Sequence, residues 1–158
     1  VITNEELKTK ISPLCSEEIS ISSSSHLVIF LAAIESINSE SQSSHSKSVK
    51  KGFPADKLEF YTGIYPNHPE DSCHSNENMY SWPARQTYLS AGNMMTAAAI
   101  KGIDSCPIES YEKENIEEVL GLDTSKFQIA CLLPFGYRLN EQSSTDKESL
   151  DDSIEFIK

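Results

Sequence analysis

This 158-residue chain has no basic patch, and its formal net charge is −11. A nucleic-acid footprint needs clustered Lys and Arg, so a nucleic-acid partner is not expected. The same acidity argues against an anionic membrane surface. No apolar run approaches the roughly eighteen residues of a membrane span; the longest, Leu27 to Ile34, is strand-sized. The start carries Asn4, Glu5 and Glu6 where a signal peptide would be basic and then apolar. The four cysteines (Cys15, Cys73, Cys106, Cys131) lie far apart with no CxxC spacing. In a chain of this length they read as reduced thiols rather than a disulfide framework. No N-x-[ST] sequon occurs. Together these absences predict a cytoplasmic protein.

What is present suffices for a core. Hydrophobic residues make up 38% of the chain and charged residues 23%, and the length fits one domain over 1–158. The chain opens on Val1-Ile2, which reads as the tail of a strand. Thr3 then offers an N-cap, with Glu6 completing a capping-box pattern. An element cut at its start suggests that N-terminal sequence is missing.

Residues 4–11 predict a short helix. Ile19 to Ser25 is serine-rich and indefinite. His26 to Leu31 reads as a buried strand. Ala32 to Lys51 is polar and helical by propensity, but weakened by its serines. Residues 61–78, with Gly63, Pro66 and Pro69, read as a long loop. Ser81 is placed as the cap of a long helix, with Pro83 in the first turn, where proline is tolerated. Tyr88, Ala91, Met95 and Ala98 form one apolar stripe, which Leu89, Met94, Ala97 and Ile100 widen. Such a helix is expected to be central, and its small residues permit close approach by another helix. Gly102 ends it, and Asp104 to Ser110 follows as a loop. A helix at about 112–120 ends at Gly121, Phe127 to Phe135 is a core strand, and Leu150 to Ile157 reads as a terminal helix or strand. The acidic stretch 112–118 is taken as a solvated face.

The run RQTYLSAGNMMTAAAIKGIDSCPIESY, followed by a helix, GL and a strand ending LPFGYR, resembles the nitroreductase family. It is most similar to the oxygen-insensitive NAD(P)H nitroreductases and dihydropteridine-reductase-like flavoproteins. ITNEELKTKI and SHLVIFLA match in order and spacing, so the resemblance covers nearly the whole chain. It implies an α+β sandwich around a mainly antiparallel sheet, here without the family's N-terminal segment. It also implies an intertwined homodimer with FMN at the interface. In such a protein NAD(P)H reduces the flavin, which then reduces a nitroaromatic, quinone or similar small-molecule acceptor. The cofactor supplies the chemistry, so no catalytic acid or base is required of the protein.

Residue by residue, Pro107, Ile108, Glu109 and Ser110 stand where the family has Pro-Ile-Glu-Gly. The resemblance implies Pro107 and Ile108 against the isoalloxazine ring and the Glu109 N–H toward flavin N5. Ser110 replaces a glycine, a residue that permits positive φ and close approach. Thr145-Asp146-Lys147 align with the family's Lys-x-Arg phosphate pair, leaving Lys147 as a point charge without a bidentate fork; Arg138 is a substitute candidate. The family's Arg-Arg-Ser phosphate segment precedes the point where this chain begins. The alternative left open is a truncated, non-catalytic remnant, or an interaction partner of a full-length relative, without bound flavin.

Outside that segment the pattern is less specific. Cys106 reads as a structural thiol with nothing beside it to lower its pKa. His68, Cys73 and His74 fit no zinc spacing and read as loop residues. Phe60, Tyr61 and Tyr65 are open between a substrate mouth and local packing. Arg85 and Gln86 are open between an approach to the flavin and an exposed or interfacial place.

Overall fold

The computed structural model describes residues 1–34, 76–141, 154, 155 and 157. Two helices come first, α1 (Glu5–Ile11) and α2 (Glu18–Ser22), with a 3₁₀ turn Ser12–Leu14 between them. Strand β1 (His26–Ala33) follows, then the long helix α3 (Asn76–Ile100), a two-residue strand β2 (Asp104–Ser105), helix α4 (Lys113–Val119) and strand β3 (Phe127–Gly136). The fold is α+β. Its antiparallel sheet has the order β1-β3-β2, with β3 in the centre.

β3 is apolar without alternation because both of its faces are covered. Ile129 and Leu132 join Leu27 of β1, Ile11 of α1, Ile21 of α2 and Ile116 of α4 in one cluster. Ala130, Cys131 and Leu133 face the other way, toward Ala84 and Ala91 of α3. Ile129 and Leu132 are three residues apart yet share a face. The pairing explains this: Phe30 pairs with Cys131 and Leu31 with Ile129, so Ala130 is an extra residue in the ladder. A bulge of this kind resets which face each later side chain meets.

The stripe predicted on α3 is the one that meets the sheet. Ala91 and Ala98 are buried and Met95 is half-buried. The widening residues are not covered: Leu89 is 67% exposed and Ile100 82%. Among the described residues α3 is therefore packed on one side only. It also begins earlier than expected. Asn76 to Asn78, assigned to a loop, are helical; Ser81 is no cap, and Pro83 lies inside the helix. The turn ahead of Pro83 is held from outside the helix, because the Tyr80 hydroxyl donates to the Ile129 carbonyl at 2.8 Å and the Lys113 ammonium sits 4.0 Å from the Tyr80 ring centre. Tertiary contacts of this kind override local stop signals.

The C-terminus of α3 agrees with the sequence. Gly102 has φ +72°, its N–H donates to Ala99 O, and Ile103 N–H donates to Ala98 O, the paired bonds of a Schellman motif. Gly121 ends α4 with φ +61°.

Other expectations shift. The cap of α1 is Asn4, whose Oδ1 accepts from Leu7 N at 2.9 Å, rather than Thr3; Asn is the better acceptor at that place. The serine-rich segment holds α2, and the Ser22, Ser23 and Ser24 hydroxyls donate to carbonyls of its own turns. Ala32 and Ala33 belong to β1 rather than to a helix, and residues 35–51 lie outside the described residues. Ile154, Glu155 and Ile157 have no regular structure; the rest of that expected element lies outside the described residues. Lys8 is fully buried, where its ammonium donates to Ser24 O and pairs with Glu5 at 2.8 Å. A buried amine persists only with such partners.

Candidate functional site

The segment after Gly102 is a sheet edge rather than a free loop. Asp104 pairs with Gly136 and Ser105 with Phe135, and the Cys106 N–H donates to Pro134 O at 3.3 Å. Ile108 then forms an antiparallel bridge with Leu132, with N–H to O distances of 2.9 and 3.2 Å. The chain next leaves β3 for residues 14–16: Ser16 N–H donates to Ser110 O at 3.0 Å and Glu112 N–H to Leu14 O at 2.8 Å. Glu109 is thus held by fixed neighbours on both sides. Among the described residues, its own N–H donates no hydrogen bond.

The bridge decides where side chains go. Residues directly opposite in an antiparallel pair share a face, so Ile108 follows Leu132 into the first cluster and is 1% exposed. Alternation turns Pro107 and Glu109 toward the α3 side, and both are exposed. The Ile108 side chain is taken up by the core, so a ring contact at this residue falls to its backbone, which the bridge to Leu132 fixes. Ser110 is exposed, and no non-glycine described residue has positive φ. The backbone at Ser110 therefore does not require a glycine.

Three tyrosines absent from the sequence-derived site converge beside this edge. Tyr80 and Tyr111 donate to the Ile129 carbonyl at 2.8 and 3.4 Å, and Tyr88 donates to the Ala130 carbonyl at 3.3 Å. Burial first, and then the Glu109 carboxylate, push the Tyr88 phenol above its ordinary range. Burial does the same for Tyr111 and Tyr80. Tyr80 extends the Tyr88–Ala98 stripe by two turns, a signal hidden once the helix was started at Pro83. Glu117, read as part of a solvated face, is 5% exposed, and its Oε1 accepts from Ile129 N at 2.8 Å.

Arg138 does not reach out for an anion. Its guanidinium forks onto Asp104, Nε to Oδ2 at 2.7 Å and Nη2 to Oδ1 at 2.5 Å. Arg85 and Gln86 are exposed. Lys147, Thr145, Asp146, Phe60, Tyr61, Tyr65, His68, Cys73 and His74 lie outside the described residues. Among the described residues no cluster of His, Cys, Asp and Glu could hold a metal, and no helix is long and apolar enough to cross a membrane.

The thiols match the structural reading. Burial, with Glu17 beside it, raises Cys106. Burial, with Glu112 beside it, raises Cys15 to about 11. At about pH 8 this leaves Cys15 a thiolate fraction on the order of a hundredfold below that of an ordinary thiol. In iodoacetamide labelling followed by peptide mapping, Cys15 is expected to lag a free thiol by a similar factor and to speed up as the pH rises toward 11. Labelling as fast as a model thiol would contradict the burial of Cys15.

The model of the "Nitroreductase family" matches residues 1–137. YfkO of Bacillus subtilis (strain 168), which carries a provisional NAD(P)H nitroreductase name, is 29% identical over 168 residues, covering 99% of this chain and 76% of that protein. SH0546 of Staphylococcus haemolyticus (strain JCSC1435), with the same provisional name, is 32% identical over 170 residues, covering 99% and 75%. Among solved structures, a nitroreductase-like protein of Streptococcus mutans superimposes with a TM-score of 0.78 at 18% identity, covering 99% of this chain and 75% of that one. A protein of Exiguobacterium sibiricum 255-15, provisionally named a nitroreductase and solved in complex with FMN, gives 0.74 at 21%, covering 99% and 74%.

Proposed function

The chain belongs to the nitroreductase family, and from that premise we propose that it is an FMN-dependent oxidoreductase. The chemistry FMN supplies when bound is two-electron transfer from NAD(P)H to a nitroaromatic, quinone or similar small-molecule acceptor. The observation that carries the reading is the Glu109 amide: a donor with no partner among the described residues, at an exposed position, with Ile108 pinned to Leu132 and Ser110 to Ser16. A donor fixed in advance binds a ring acceptor without an ordering cost.

The chain's own residues divide the work. Pro107, exposed and without an N–H, offers an apolar surface to the ring. Glu109 supplies the amide for flavin N5. Ile108 holds that amide in place through the sheet. Ser110 adds a hydroxyl where the family has none. Lys147 is the cation proposed for the phosphate, since Arg138 is paired with Asp104. The exposed apolar face of α3, with Leu89, Met94 and Ile100, supports a homodimer in which a second copy covers it. A cytoplasmic location fits the pyridine nucleotide substrate.

Titration of the purified chain with FMN tests the reading. The expected result is a saturable change in the flavin's visible spectrum, bleaching on anaerobic addition of NADPH or NADH, and a mass of two chains in light scattering on the same sample. No spectral change at saturating FMN would sink the flavin function and leave a non-catalytic remnant or interaction partner.

A further inference from the structure

The sheet sets the direction of the Glu109 amide. Leu132 N–H donates to Ile108 O at 3.2 Å, which fixes the peptide between Ile108 and Glu109. That peptide is trans, so its N–H points opposite to its C=O and away from β3. The carboxylate of the same residue is exposed, and no described Lys, Arg or His pairs with it. Its charge is felt on the α3 side of the sheet: burial raises the Cys131 thiol and the Tyr88 phenol, and Glu109 adds to both. Covalent geometry limits how far the carboxylate can stray. Its carbon is four bonds from the amide nitrogen, so an acceptor held by that N–H lies within about 8 Å of it in any rotamer.

We infer that the Glu109 carboxylate sets the reduction potential of a flavin held on the amide of the same residue, by disfavouring the anionic reduced ring. The inference rests on the flavin reading given above. The oxidised ring is neutral. Uptake of a hydride, two electrons with one proton, makes it an anion. A fixed negative charge within about 8 Å repels the anion and leaves the neutral ring alone, which at the dielectric of a protein surface amounts to about fivefold in relative affinity. The lowered potential makes the reduced flavin a stronger donor to the acceptor.

Dissociation constants for oxidised and dithionite-reduced FMN, measured above neutral pH in the full chain, test this. The proteins are the parent, Glu109→Gln and Glu109→Asp, each at low and high salt. Glu109→Gln keeps the length and the amide and removes the charge. It should tighten reduced FMN about fivefold relative to oxidised FMN, a rise of about 20 mV for a two-electron couple. Glu109→Asp, which keeps the charge, should stay within about twofold of the parent. The difference between parent and Glu109→Gln should shrink in about 1 M salt, where charges are screened beyond about 3 Å; a change of shape alone would persist. A parent that binds FMN with the same ratio as Glu109→Gln, a Glu109→Asp protein that shifts as far as Glu109→Gln, or a shift indifferent to salt overturns this role and leaves the flavin reading standing. A parent that binds neither form of FMN overturns both.

Discussion

Leu132→Ala should cost about 3 kcal/mol of folding stability, within the range for a large-to-small change at a fully buried site. Leu132 is 0% exposed and sits among Ile11, Ile21, Leu27, Ile108, Ile116 and Ile129, contributed by α1, α2, α4, both long strands and the edge segment. Few of these neighbours can move into the space, because each is anchored in an element that packs elsewhere. The cost should therefore include a cavity as well as the lost transfer free energy. The effect should also reach the site, since the bridge to Leu132 and the packing on its side chain both hold Ile108. Urea unfolding gives the stability, and Leu132→Met serves as the volume-conserving comparison, expected to lose less than about 1.5 kcal/mol. An alanine variant with the midpoint of the parent would show that these clusters do not form one core.

Glu117→Leu should cost about 2 kcal/mol, although it replaces a buried acid by an apolar residue of good helix propensity. The reason is the strand edge. β3 runs past Ile108 with no neighbouring strand among the described residues, so Ile129 would present an unpaired N–H and C=O there. Glu117 Oε1 takes the N–H, and the Tyr80 and Tyr111 hydroxyls donate to the carbonyl. Leucine leaves a buried donor without a partner, and that desolvation cost outweighs the modest net worth of an ordinary hydrogen bond. Glu117→Gln keeps an acceptor oxygen and should recover most of the loss. Urea midpoints of the three proteins check this. A leucine variant as stable as the parent would mean that water, rather than Glu117, satisfies Ile129.

Much of the architecture was legible in the residues because its signals are local. FQIACLLPF and HLVIFLAA are apolar on both faces, which only a covered strand sustains. Gly102 and Gly121 end helices through a conformation that side-chain-bearing residues avoid. The α3 stripe repeats at helical spacing. The rest is non-local. Pro83 is a local stop signal, and the contacts that carry α3 past it come from Ile129 and Lys113. The edge strand at Asp104–Ser105 is too short to carry a period, and its partners, Gly136 and Phe135, are far along the chain. Glu117 sits in an acidic run that looks solvated until β3 is laid beside it.

The sequence alone determined the fold class and, through its resemblance, the family, and it proposed the segment Pro107 to Ser110 for a cofactor, since motif order is a property of the chain itself. Only the tertiary structure decided how that segment is placed. The bridge to Leu132 turns Ile108 inward and Glu109 outward, and the Tyr88 hydroxyl reaches the carbonyl of Ala130, the extra residue of the bulge. Strand register is a relation between distant segments, and a slip of one residue would exchange the buried and exposed sets.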